Sequence, residues 1–110
     1  MTLNDYQKLA YRTFKQGTHD FNLNHVALGV CGEAGEFADC IKKHTIYKQP
    51  LDTVNALEEL GDLLWYVSVA AHELGFNLTE VAVVNITKLN KRYPEKYTDT
   101  LAQMRLDKDA

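Results

Sequence analysis

The stretch VALGVCGEAGEFADCIKK, residues 26–43, places apolar residues three and four positions apart. A second stretch, VNALEELGDLLWYVSVAAHEL, residues 54–74, repeats this spacing. Such periodicity is typical of amphipathic α-helices that bury an apolar stripe. Each stretch also carries two acids three positions apart at the edge of that stripe. These acids are Glu33 and Glu36 in the first stretch, and Glu59 and Asp62 in the second.

Two further helical patterns flank this central pair, and no strand pattern is present. Asn77 and Glu80 form a capping-box pattern that starts the last helix, and Pro94 ends it. With caps included, the four predicted helices cover about residues 3–14, 23–43, 52–74 and 77–93. We therefore predict an all-α, four-helix bundle-like domain over residues 1–110, with a loosely held tail at 95–110.

Length and charge narrow the class of protein. A chain of 110 residues suits one domain with one core. Its 12 basic and 15 acidic residues give a net charge of −3, which argues against broad nucleic-acid binding. The N-terminus lacks a signal-peptide pattern, and the longest apolar run, residues 63–71, is too short to span a bilayer. We expect a cytoplasmic protein without membrane or nucleic-acid partners, whose Cys31 and Cys40 are reduced.

The third helix has apolar residues on nearly all sides. Its main stripe includes Leu60, Leu64 and Leu74, and Val54 and Trp65 add apolar surface elsewhere. A helix with this pattern is usually buried all round. Because a domain this small can scarcely cover the helix alone, we expect a homo-oligomer that packs on it.

The acid pairs converge if the second and third helices pack antiparallel. Four neighbouring carboxylates repel one another unless a cation neutralises them. Mg²⁺, for which Mn²⁺ could substitute, fits because it prefers carboxylate and water oxygens. No helical Glu-x-x-His pair is present, which argues against a ferritin-like di-iron site. One acid pair alone is more often a solvated helix face, so the metal prediction depends on both pairs.

The fourth helix adds groups suited to a polyphosphate. Lys88 and Arg92 lie one turn apart on a face shared with Asn85, and Lys43 falls within about 20° of Glu36 around the second helix. Taken alone, these cations are ordinary residues near helix C-termini. Beside an acidic metal cage, they indicate a Mg²⁺-dependent phosphoanhydride site.

These motifs resemble the signature of MazG-like nucleoside triphosphate pyrophosphohydrolases, in the all-α NTP pyrophosphatase superfamily. That signature is Glu-x-x-Glu, a gap of variable length, and Glu-x-x-Asp. Here it corresponds to GEAGE at residues 32–36 and EELGD at residues 58–62. The segment NITKLNKRYP, residues 85–94, is similar to the closing segment of the family.

The resemblance implies hydrolysis of a nucleoside or deoxynucleoside triphosphate to a monophosphate and pyrophosphate, a nucleotide-pool cleaning reaction. It implies that the four acids bind the metal and that Asn85, Lys88 and Arg92 meet the phosphates. It also matches Tyr66 to an active-site tyrosine of the dCTP-specific branch. From the residues alone, Tyr66 is either a core aromatic or a platform for the base.

In this interpretation, water attacks the α-phosphorus with help from a glutamate. Glu36 is the favoured helper, Glu59 is the second catalytic candidate, and Lys43 offsets charge on the leaving pyrophosphate. Family members are dimers or tetramers, with sites often formed across subunits. Two alternatives stay open: an all-α dUTPase or dCTPase with narrow base specificity, and a non-catalytic helical oligomerisation module that retains the fold.

Overall fold

The computed structural model describes residues 1–108, and the chain is helical over most of that range. Five α-helices and one short 3-10 helix occur there, and these residues form no strand. The helices are α1 (Leu3–Tyr11), α2 (His19–Thr45), α3 (Thr53–Glu73), α4 (Leu78–Arg92), α5 (Asp99–Met104) and a 3-10 helix (Leu106–Lys108). The predicted all-α fold is therefore confirmed.

The long helices α2 and α3 pack on each other in antiparallel directions. Near the start of α2, Asn22 Nδ2 donates to Glu73 Oε1 at 2.8 Å, at the end of α3. Near the end of α2, Cys40 Sγ donates to the Asp52 carbonyl oxygen at 3.6 Å, at the start of α3. Because residue numbers rise along one helix as they fall along the other, the middle of α2 faces the middle of α3.

The start of α2 differs from the prediction. This helix begins at His19, four residues before the predicted position, because Thr18 caps it and Phe21 N donates to Thr18 Oγ1 at 3.2 Å. Asn22 is a buried helical residue whose Oδ1 accepts a hydrogen bond from Gly17 N at 2.8 Å. The polar residues that favour a turn therefore form the first turn of a helix and close the preceding loop onto it.

The end of α1 also differs from the prediction, and the turn that follows it contributes a residue to the core. The helix ends at Tyr11, and Thr13 Oγ1 donates to the Ala10 carbonyl oxygen at 2.7 Å. This turn places Phe14 inward, where it packs with Val26 and Val69. The core of the single chain is thus small and lies at one end of the α2–α3 pair.

Residues 95–108 belong to the segment for which the sequence predicts a loosely held tail. They form α5 and the 3-10 helix, which contact α4. The predicted tail also includes Asp109 and Ala110, which lie outside the described residues. The main polar attachment is an ion pair between Arg92 and Asp107. Because these two residues are 15 positions apart, helical periodicity gives no sign of their contact.

Much of the apolar surface of α3 and α4 is open to solvent in the single chain. On α3, Val54 is 67% exposed and Leu57 70% exposed, and Val84 on α4 is 68% exposed. The radius of gyration is 17.0 Å, whereas a compact domain of about 100 residues has one of roughly 13 Å. The stripe residues Leu60, Leu64 and Leu74, expected to be covered, are also exposed. Within residues 1–108, a large part of the apolar surface of α3 and α4 is therefore not covered by the rest of the chain.

Gln7 is a buried side chain that joins three helices. Its Nε2 donates to the carbonyl oxygens of Ser68 at 2.9 Å and Phe76 at 3.1 Å, and its Oε1 accepts from Leu78 N at 3.0 Å. α1 is thereby fixed to the end of α3 and the start of α4. The Asn77–Glu80 capping box predicted for α4 is present beside it.

Replacing Gln7 by Ala should destabilise the fold by about 2–4 kcal/mol, because it leaves buried backbone groups without partners. Urea unfolding followed by circular dichroism measures this loss. The control is Gln16→Ala, an exposed glutamine of the first loop, which should change the free energy of unfolding by less than about 0.5 kcal/mol. Equal losses in the two variants would contradict the assigned role of Gln7.

Candidate metal and phosphate site

Three of the four signature acids meet between α2 and α3. One carboxylate oxygen from each of Glu33, Glu59 and Asp62 lies within 4.8 Å of the other two. Glu33 and Glu59 are half-buried, and Asp62 is exposed. The antiparallel packing of the helices produces this group because it sets the middle turns of α2 and α3 side by side. We call these three residues the acidic cluster.

The acidic cluster raises the pKa of the Glu59 carboxyl. The largest cause is a hydrogen bond with Glu33, followed by partial loss of solvent and the negative charges of Glu33, Asp62 and Glu36. Without a cation, the Glu59 carboxyl therefore holds a proton more strongly than an isolated glutamate does. Glu36 lies outside the cluster as defined, yet it is near enough to contribute to its field.

The composition of the acidic cluster suits a hard divalent cation. All its donors are carboxylate oxygens, which Mg²⁺ and similar ions prefer. A cation at this position would favour the ionised form of Glu59, against the hydrogen bond with Glu33, the loss of solvent and the neighbouring charges that raise its pKa. One face of the cluster, at Asp62, is open to solvent and therefore accessible to a ligand.

Tyr6 is a neighbour of the acidic cluster that the sequence did not reveal. Burial raises the pKa of its hydroxyl, and the charge of Asp62 adds to the effect. In the sequence, Tyr6 is one member of the apolar stripe of α1. Its proximity to an acid 56 positions away depends on how α1 packs against α3, which the periodicity of α1 does not specify.

Tyr66 is packed between α2 and α3, one turn beyond Asp62. Its ring lies against the Gly29 backbone so closely that a Cβ at position 29 would be 2.1 Å from the ring. The ring also meets Trp65 edge-on at a centroid distance of 4.8 Å and His25 at 5.9 Å. This packing corresponds to the core-aromatic interpretation, and a contact with substrate stays a prediction.

The predicted phosphate-binding residues lie on α2 and α4, outside the acidic cluster. Lys43 pairs with Asp39 at 3.3 Å on its own helix. Lys88 and Asn85 are exposed on α4, and Asn85 lines a cavity of about 260 Å³ with Leu3 and Leu64 among others.

Arg92 donates from Nε and Nη2 to both Asp107 oxygens, at 2.9 and 3.0 Å. Within residues 1–108, none of the four predicted phosphate ligands forms an ion pair or hydrogen bond with the acidic cluster. In the described part of the chain, the three carboxylates therefore converge without an ion pair to these predicted ligands.

The chain thus belongs to the class of all-α proteins with carboxylates gathered between two antiparallel helices, and comparison with known proteins identifies its family. Residues 21–97 match the model of the MazG nucleotide pyrophosphohydrolase domain. This chain belongs to that family.

A relative in Mycobacterium phage L5, the Gene 37 protein, is 38% identical over 76 residues. The matched region covers 64% of this chain and 65% of the phage protein, so it leaves about a third of that relative unmatched. No solved structure matches the chain significantly. Within residues 1–108, no helix combines the length and apolar character needed to cross a bilayer.

Proposed function

We propose that this protein is a Mg²⁺-dependent nucleotide pyrophosphohydrolase that converts a nucleoside or deoxynucleoside triphosphate and water to a monophosphate and pyrophosphate. The observation that carries the proposal is the convergence of Glu33, Glu59 and Asp62 in a chain of the MazG family. Residues 1–110 would form one pyrophosphohydrolase domain. Its role would be to remove unwanted nucleotides from the cytoplasmic pool.

The acidic cluster would hold the cation, with Glu36 as a fourth ligand. Mg²⁺ would be the ordinary ion and Mn²⁺ a substitute, since both accept carboxylate oxygens. When bound, the cation would polarise the phosphoanhydride and lower the pKa of a water molecule. The all-carboxylate composition of the cluster and the mutual repulsion of its members support this assignment.

A glutamate of the site would accept the proton of the attacking water. Glu36 and Glu59 are the candidates for this proton acceptor. Lys88 and Asn85 are exposed and therefore available to phosphate oxygens. Lys43 and Arg92 would first have to release Asp39 and Asp107.

The active form would be a homo-oligomer, either a dimer or a tetramer. The exposed apolar residues of α3 and α4, such as Leu57 and Val84, support this proposal because they need a covering surface. A second copy would also supply further side chains around the acidic cluster. In this arrangement, Lys88, Arg92 and Tyr66 would complete the substrate site together with the four acids.

Pyrophosphate release from a panel of ribo- and deoxyribonucleoside triphosphates, with Mg²⁺, with Mn²⁺ and with EDTA, tests the proposal. We expect metal-dependent release of pyrophosphate with a monophosphate as the other product. Turnover of dUTP or dCTP alone would favour an all-α dUTPase or dCTPase with narrow base specificity over a broad pyrophosphohydrolase. Absence of turnover on every nucleotide would favour the non-catalytic oligomerisation module.

A further inference from the structure

The C-terminal segment is fixed to α4 by a charged contact that uses a proposed phosphate ligand. Both oxygens of Asp107 accept from the Arg92 guanidinium, at 2.9 and 3.0 Å. The Asp107 side chain is fully covered and that of Arg92 is 18% exposed. Arg105 lies 3.7 Å from the same carboxylate. We call residues 95–108 the C-terminal strap.

Apart from this ion pair and the contact between the rings of Tyr97 and Tyr93, whose centroids are 5.2 Å apart, the strap buries little of its surface. Its longest helix, α5, has only six residues and no buried side chain. Its Tyr97 is 62% exposed and its Met104 51% exposed. Segments with few buried apolar contacts open at low free-energy cost. The Arg92–Asp107 pair is therefore the contact most able to decide whether the strap is bound or released.

The two oxygens of a carboxylate occupy the guanidinium in the same manner as two oxygens of a phosphate. Both anions bind the planar donor fork of arginine through parallel hydrogen bonds. Since Asp107 engages Nε and Nη2 of Arg92, a polyphosphate could bind this edge of the guanidinium only after the carboxylate leaves. Strap closure and phosphate binding therefore compete for this edge of Arg92.

We propose that Asp107 is an intramolecular competitor of the polyphosphate for Arg92, so that phosphate binding releases the C-terminal strap. This inference rests on the proposed function, because it takes Arg92 to be a phosphate ligand. The strap would then lower the affinity of the resting enzyme for polyphosphates and would disengage when a ligand arrives. Asp107 would act through Arg92 and would touch neither substrate nor metal.

Asp107 itself does not change its charge near neutral pH. Hydrogen bonding from Arg92 lowers the pKa of Asp107 to about 2, so its carboxylate remains ionised at physiological pH. The competition should weaken at high ionic strength only in part, because the pair is largely shielded from solvent.

The test uses the full-length protein with Mg²⁺ and inorganic pyrophosphate as the probe. Calorimetry gives the dissociation constant, and amide hydrogen exchange reports on residues 95–108. In the unmutated protein, saturating pyrophosphate should increase exchange in the strap. Asp107→Asn, which keeps the side-chain size but removes the charge, should increase exchange without any ligand and tighten pyrophosphate binding roughly fivefold. Glu95→Gln removes one negative charge from the same exposed segment and should change neither quantity.

Unchanged or weaker pyrophosphate binding by Asp107→Asn would overturn the proposal, because it would make Asp107 a positioning partner of Arg92. Failure of pyrophosphate to bind, or saturation without any change in strap exchange, would overturn it as well. Nucleotide hydrolysis measured in parallel distinguishes failure of the proposed enzymatic function from failure of the proposed competition. Nucleotide turnover without any change in strap exchange would support the enzymatic function and would exclude only the competition at Arg92.

Discussion

The variant Glu59→Gln should lose nucleotide hydrolysis almost completely, with kcat/KM reduced by at least about 100-fold. Glutamine has nearly the same size, but it removes one negative charge from the centre of the acidic cluster. The helical circular dichroism should be unchanged, because ionised Glu59 is repelled by Glu33 and Asp62 in the absence of metal. Pyrophosphate release at saturating Mg²⁺ measures the effect.

A matched control is available one residue away. Glu58 is exposed and is not a member of the acidic cluster, so Glu58→Gln makes the same chemical change on the same helix. We expect it to retain activity within about twofold. Comparable losses of activity in both variants would show that activity depends on the total charge of α3 and not on Glu59 as a metal ligand. Full activity of Glu59→Gln would exclude Glu59 from the site.

Thermal unfolding adds a readout that does not depend on turnover. The pKa of Glu59 is higher in the folded than in the unfolded chain. Its ionisation therefore lowers the metal-free stability as pH rises from the unfolded-state pKa through the folded-state pKa. Mg²⁺ would replace the proton, so the Mg²⁺-induced rise in Tm should grow as pH rises through the same interval. In Glu59→Gln this rise should be small at every pH.

The second large effect is expected at Gly29, where α2 approaches the ring of Tyr66. A Cβ at this position would lie 2.1 to 2.5 Å from three ring atoms. Because Trp65 and His25 pack against the same ring, the ring cannot move without disturbing them. Gly29→Ala should therefore cost about 1–3 kcal/mol from overpacking, which exceeds the roughly 0.5–1 kcal/mol that alanine gains over glycine in a helix.

Gly35→Ala is the control for this substitution. Gly35 lies on the same helix, and a Cβ there would meet no atom within 4 Å. We expect Gly35→Ala to raise the free energy of unfolding by about 0.5–1 kcal/mol. The two substitutions should therefore change the free energy of unfolding in opposite directions. In a Tyr66→Ala background, Gly29→Ala should no longer be destabilising. Destabilisation that persists there would assign the cost to another contact.

The acidic part of the site was predictable from the sequence to an unusual degree. Two acid pairs, each three positions apart on a periodic helix, have fixed directions relative to their apolar stripes. Once α2 and α3 pack antiparallel through those stripes, Glu33 must approach Glu59 and Asp62. The remaining acid, Glu36, shares their field without joining the group of three.

The contacts of the predicted basic ligands were less predictable, because sequence spacing does not identify which acids these side chains pair with. Lys43 and Arg92 are predicted phosphate ligands, and in the single chain each is paired with an acid. Asp39 lies four positions from Lys43, so that pair could have been anticipated from helix geometry. Asp107 lies in a segment without strong periodicity, and only folding of the strap brings it to Arg92.

The sequence by itself determined the helical class, the capping of α4 and the direction in which the signature acids point, because these depend on residues within a few positions of one another. The tertiary structure alone decided that Gln7 joins three helices, that Tyr6 approaches Asp62 and that the strap reaches Arg92. Each of these contacts joins residues far apart in the chain. Their formation depends on how whole helices pack, which local periodicity constrains only weakly.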